Sequence, residues 1–231
     1  MTDTSDEFED AMAAEMLSAQ QSSRLCQACG QCCTGVLASY VNISAKEASA
    51  LKGTPIKPYV NDKEKLVFDQ PCPAFSGGGC SIYDKRPGVC RSFLCDLTRG
   101  VMNGSTAFEE AMDRVAALRA QADWLRAHVP ADMPARPRQA GGKPAKSGRG
   151  ILAAWRQDGD EAGADASDHP KSLWLLLGDL HAHFTRKQHK GDLDAADKAY
   201  IARAFAFAKL CDHYFEKTPH LRKYAELVQR F

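Results

Sequence analysis

Apolar residues recur at intervals of three and four along much of the chain, most regularly between residues 106 and 128. There Phe108, Met112, Val115, Leu118, Ala122 and Leu125 fall on one face, which predicts an amphipathic helix stopped by Pro130. A shorter helix is predicted over residues 5–22, where Phe8, Met12 and Met16 repeat at a spacing of four among Glu, Ala and Gln; its expected role is to pack across the segment that follows. Further helices are predicted over 171–187 behind Pro170, over 193–216 on a face of Ile201, Phe205, Ala208 and Phe215, and over 219–230. Between residues 26 and 97 the pattern breaks into short pieces. Residues 26–33 read as a turn-forming loop and Val36–Val41 as a strand. Ser44 reads as the N-cap of a short helix ending at Gly53, and residues 65–69 as another strand. From Pro71 to Cys95 the pattern is loop-like through Gly77, Gly78 and Gly79, with Pro87 opening a helical turn that runs to Cys95.

These elements predict a mainly α fold: a small irregular cysteine-rich metal-binding module with short strands, followed by an α-helical region. The expected organisation is an N-terminal amphipathic helix at 1–23, the module at 24–97, a helix packing on it at 98–129, a flexible charged linker at 130–169 and a C-terminal helical region at 170–231. The linker rests on composition, because residues 130–150 hold four prolines, four glycines and five basic side chains against Asp132 alone. Five acidic residues between Asp158 and Asp168 read as a solvated stretch.

Charge adds little: 30 basic residues against 29 acidic ones give no global footprint for nucleic acid. The longest apolar run, Leu173–Leu177, is far short of the roughly 18 residues of a membrane span, so no membrane association is expected. The acidic N-terminus has neither the basic nor the apolar region of a secretory signal, and a cytoplasmic location is expected. That location decides how the nine cysteines are read, since a reducing cytosol leaves thiolates available to metals and an odd number suits pairing poorly.

Eight of the nine lie between Cys26 and Cys95, in two blocks: Cys26, Cys29, Cys32 and Cys33, then Cys72, Cys80, Cys90 and Cys95. Two residues between cysteines let the backbone curl so that both sulfurs face one ion, while turn N–H groups offset thiolate charge. The run Cys26, Cys29, Cys32 is also the spacing with which bacterial ferredoxins hold three corners of a cluster, with Cys72, followed by Pro73, as a candidate remote ligand. No histidine precedes His128, so a site here is purely thiolate, which selects zinc, copper(I) or an iron–sulfur cluster over hard cations. Zinc held by four thiolates is closed and structural, whereas a cluster on the same ligands can carry electrons. Side chains of adjacent residues project apart, so one of Cys32 and Cys33 serves a second site or an outer position. Around the second block Lys85, Arg86, Arg91 and Arg99 outnumber Asp84 and Asp96. They are ordinary surface charges, counter-charges to thiolate sites, or, for Arg86 and Arg91, holders of a small anionic cofactor or substrate. Phe75, Tyr83 and Phe93 read as shields for the metal.

At these residues the chain resembles the CxxCxxCC cysteine-cluster family of YkgJ type, zinc- or iron-chelating domains. The run Cys26–Cys33 is one anchor. The other is Cys72-Pro73, then Gly79-Cys80-Ser81-Ile82-Tyr83, Arg86-Pro87, Cys90-Arg91, Phe93 and Cys95, similar in order and spacing to the family pattern over residues 24–97. The resemblance implies that all eight cysteines are ligands or near-ligands of the metal, and the family includes relatives that methylate flagellin lysines. Three readings follow. The first is a metal-binding protein of the iron–sulfur or zinc type with a possible redox role. The second is a structural zinc module that meets a protein partner through the helical region. The third is a cluster-dependent enzyme related to protein lysine methylases.

Outside the module, Cys211 shares an apolar face with Ile201, Ala204, Phe205 and Ala208 and reads as a packing thiol. His181 and His183 are two apart on a predicted helix, point to different sides and read as surface residues. No nucleophile elbow, Walker or dinucleotide-binding motif occurs.

Overall fold

The computed structural model describes residues 4–61, 63–76, 78–133 and 172–215. In chain order the elements are α1 (Thr4–Cys29), β1 (Tyr40–Asn42), α2 (Ala45–Ala50), β2 (Tyr59–Val60), β3 (Leu66–Asp69), β4 (Phe75–Ser76) and β5 (Gly79–Cys80). Then come α3 (Gly88–Ser92), α4 (Asp96–Met102), α5 (Phe108–Ala127), α6 (Leu173–Lys190) and α7 (Ala195–Tyr214). Helix dominates, with short strands between Tyr40 and Cys80, as the sequence predicts. No helix among the described residues is long and apolar enough to cross a membrane.

The chain divides into two compact units. The first gathers the described residues among 1–30, 94–130 and 190–231. In it α1 packs on α4 and α5, and α5 on α7. The α5 stripe predicted from periodicity is the buried one: Val115, Leu118, Ala122 and Leu125 are all enclosed. Helix α7 starts on Asp194, whose carboxylate accepts from the Asp197 N–H while Asp197 reaches back to the Asp194 N–H. It brings Tyr200 to α5, and the buried hydroxyl donates to the Leu125 carbonyl at 2.7 Å. Arg119 likewise donates to the Ala28 carbonyl at 3.0 Å, satisfying an acceptor in the last turn of α1.

Two expected faces move. The predicted apolar face of α1 carried Phe8, Met12 and Met16; the Phe8 side chain lies outside the described ones, Met12 and Met16 are 49% and 70% exposed, and the helix buries Ser22, Leu25 and Cys29 instead. The buried positions of α1 thus lie in its C-terminal two turns. On α7, Phe207 is buried with Ile201, Ala204, Ala208 and Cys211, while Phe205 is half-exposed under the Lys209 ammonium. The packing role of Cys211 stands.

The second unit comprises the described residues among 31–93 and 131–189. Strands β1 and β2 pair antiparallel to the two sides of β3, with Val41 opposite Phe68 and Tyr59 opposite Val67. The first strand begins at Tyr40, later than the expected Val36, because Val36 turns inward: its N–H donates to the Gln31 carbonyl and its side chain is fully buried. Beside the sheet a cluster of Ile43, Ala48, Leu51, Ile56, Phe68, Cys72 and Ala74 closes a small core. Strands β4 and β5 form a two-residue ladder, Phe75 opposite Cys80, in the stretch read as loop. Pro87 caps only α3; the turn expected to run through Cys95 stops at Ser92, and α4 begins afresh after Cys95. Gly35, at φ +76°, lies so close to Ser172 that an added Cβ would stand 2.4 Å from the serine Cβ. That contact ties the turn after Cys33 to the start of α6.

His183 corrects the reading of a surface residue. It is buried, 3.3 Å from the Asp132 carboxylate, which also takes the Lys187 ammonium at 3.1 Å. His181 is half-buried, and burial lowers its pKa. The predicted linker from residue 134 onward and the helix at 219–230 lie outside the described residues.

Candidate metal centre

All nine cysteines are thiols. Those expected in a loop at 26–33 divide between two conformations. Cys26 and Cys29 occupy the last turn of α1, three residues apart and so neighbours on the helix surface, Cys26 exposed and Cys29 buried. Gly30, at φ +61°, then ends the helix, its N–H donating to the Cys26 carbonyl. Cys32 and Cys33 sit in the turn that follows, both half-buried, and the Gly35 N–H donates to the Cys32 carbonyl.

In the first unit Cys95 is the other expected ligand. It is the N-cap of α4, and its sulfur receives the Thr98 N–H at 3.4 Å and lies 3.1 Å from the Thr98 hydroxyl. Donors of this kind offset negative charge on a thiolate. Cys211, read from sequence as packing only, is fully buried in the same unit, and burial pushes its thiol far above the usual range, with the charge of Cys29 adding to the effect.

In the second unit three expected ligands are held by one piece of structure. The Cys72 N–H donates to the Cys33 carbonyl at 2.7 Å, and Cys33 packs on the apolar cluster that contains Cys72. Cys80 faces Phe75 across the β4–β5 ladder, whose near end is fixed by the Phe75 N–H on the Cys72 carbonyl. Burial raises the Cys72 pKa, and the neighbouring Cys80 raises it further. A bound cation would reverse that effect at Cys72, since positive charge beside a buried thiol favours its thiolate. Cys90 lies on α3, half-buried, one turn from Pro87.

The donor chemistry therefore fits zinc or iron: the expected ligands are sulfur throughout, Cys95 has hydrogen-bond donors on its sulfur, and Cys72 is a buried thiol with Cys80 as its neighbour. Two buried amide oxygens, Gln31 Oε1 and Gln70 Oε1, have no hydrogen-bond partner, and both residues neighbour the Cys32–Gly35 turn. Among the described residues no three His, Cys, Asp or Glu side chains stand around one point as a formed metal site.

Arg86 stacks on Tyr83, its guanidinium carbon 3.6 Å from the ring centre, with Nε buried and unpartnered. Arg91 is exposed on α3. Of the three aromatic shields expected, Tyr83 is taken by Arg86, Phe75 packs on the core beside Cys72, and Phe93 is exposed. Sequence reasoning missed Glu47, whose carboxylate reaches across 41 residues of chain to the Gly88 N–H at 2.6 Å. The Ser44-x-x-Glu47 spacing is the signal that marks it, through its local capping role.

Residues 25–112 match the model of the CxxCxxCC family, described as a putative zinc- or iron-chelating domain. No curated protein and no solved structure matches the chain.

Proposed function

We propose, from the premise that residues 25–112 are a domain of the CxxCxxCC family, that the protein holds zinc or an iron–sulfur cluster on thiolates of Cys26, Cys29, Cys32, Cys33, Cys72, Cys80, Cys90 and Cys95. The carrying observation is the Cys33–Cys72–Cys80 arrangement, in which a backbone hydrogen bond and a strand ladder hold three sulfur-bearing residues on one small core. Soft sulfur donors without histidine suit zinc or iron and not calcium or magnesium. When bound, zinc would fasten the short elements together and a cluster would add electron transfer. Arg86 and Arg91 supply positive charge to the segment that carries Cys80 and Cys90, offsetting the negative charge of a thiolate centre or holding a small anion beside it.

Colour separates the two cofactors. Protein purified without oxygen should be brown if it carries a cluster; a colourless sample with stoichiometric zinc assigns the structural reading and ends the redox one.

A second reading, a zinc module that docks a protein partner, draws on α3. Val89 and Phe93 stand 48% and 39% exposed on either side of Cys90, a pair of apolar side chains one turn apart. Replacing both with serine should leave metal content intact and abolish capture of a specific partner; unchanged capture contradicts this reading.

A further inference from the structure

We propose that Glu47 is the positioning residue for Cys90, clamping the start of α3 to the N-terminus of α2 through its carboxylate. The inference deepens the metal-centre reading and rests on it.

Three donors converge on this one side chain. The Ser44 N–H and the Ser44 hydroxyl both reach Oε2 at 2.7 Å, completing a reciprocal cap with the Glu47 N–H on the Ser44 hydroxyl. The other oxygen, Oε1, takes the Gly88 N–H at 2.6 Å. Helix α3 needs this partner, because its N-cap is Pro87, which has no side-chain oxygen to offer the first exposed N–H groups. Glycine at 88 suits the approach, since a Cβ there would stand 3.1 Å from Oε1. Hydrogen bonds from Ser44 and Gly88, with the nearby Arg91 cation, keep the carboxyl below its ordinary pKa, so it is a charged acceptor at neutral pH.

The consequence reaches the metal residues through geometry. Cys90 lies two residues beyond Gly88 in a helix of only five, too short to hold its own orientation. Helix α2 is anchored by Ala48 in the core cluster that contains Cys72. The Glu47–Gly88 bond thus fixes where Cys90 points relative to the core on which Cys72 sits. Cys90 orientation is set by a residue that touches no sulfur.

The test compares Glu47→Ala, Glu47→Gln and Ser44→Ala in the full-length protein, reading zinc and iron content, resistance to a competing chelator, and the alkylation rate of Cys90 in metal-stripped protein. Glu47→Ala should lose metal affinity by about 10–100-fold, the range for an outer-shell positioning residue, and should alkylate faster at Cys90. Ser44→Ala, which keeps the Gly88 bond, and Glu47→Gln, which keeps an acceptor oxygen, should both stay near wild type in affinity and alkylation. Wild-type chelator resistance and Cys90 reactivity in Glu47→Ala overturn the proposal, as does an equal loss in Ser44→Ala. If wild type itself holds no metal, the metal-centre reading falls, and the Cys90 alkylation rates alone decide whether Glu47 positions that thiol.

Discussion

Gly35 is a residue whose size and backbone angle are both constrained, by Ser172 and by its φ of +76°. Gly35→Ala is expected to destabilise the protein by on the order of 1–3 kcal/mol, from the left-handed backbone alone, with the serine contact adding to it; thermal unfolding measures it. Tyr200→Phe removes the donor to the Leu125 carbonyl in a buried setting, so a loss of about 1–3 kcal/mol is expected in denaturant titration. Glu47 carries a pH signature. Its pKa is lowered on folding, so its contribution is fully present above the ordinary carboxyl value of 4.5 and fades as pH falls through the lower folded value. The stability gap between wild type and Glu47→Gln should therefore narrow below about pH 4.5. Thiol chemistry was legible from residue type and spacing alone, and so was the cap at Ser44. The Glu47–Gly88 bond was not, because no local pattern announces a partner 41 residues away. Nor did two histidines on one helix reveal that His183 turns inward to meet Asp132.

At the scale of elements, periodicity located α5 to within two residues of its observed ends, because its buried stripe repeats over a full 20 residues. Leu118→Ala in that stripe should cost about 2–5 kcal/mol by cavity formation. Helix α1 shows the limit of the same signal. Its methionine spacing and its Ser22–Leu25–Cys29 spacing both satisfy a helical period, and only packing decides which face is covered. Met16→Gln should consequently change stability by about 0.5 kcal/mol or less, whereas a sequence-based face would predict a core loss. The two-residue strands β4 and β5 leave no alternation to detect, and they are the elements that present Cys80 beside Cys72.

For the whole molecule, the mainly α class with short strands followed from composition and pattern, while the distribution of the cysteines did not. Cys26 and Cys29 belong to a helix and Cys32 and Cys33 to a turn, a break set by Gly30 that the even spacing of the first three conceals. Small cysteine-rich modules draw folding free energy from their metal, so chelation should lower the unfolding temperature of the 24–97 region more than that of α5 and α7. The central claim is that thiolates from both cysteine blocks hold a metal. Elemental analysis of anaerobically purified wild type, Cys29→Ser and Cys80→Ser tests it most directly. Stoichiometric zinc or iron in wild type, with loss in each variant, is the predicted result; a folded, metal-free wild type, or metal content unchanged in both variants, contradicts it.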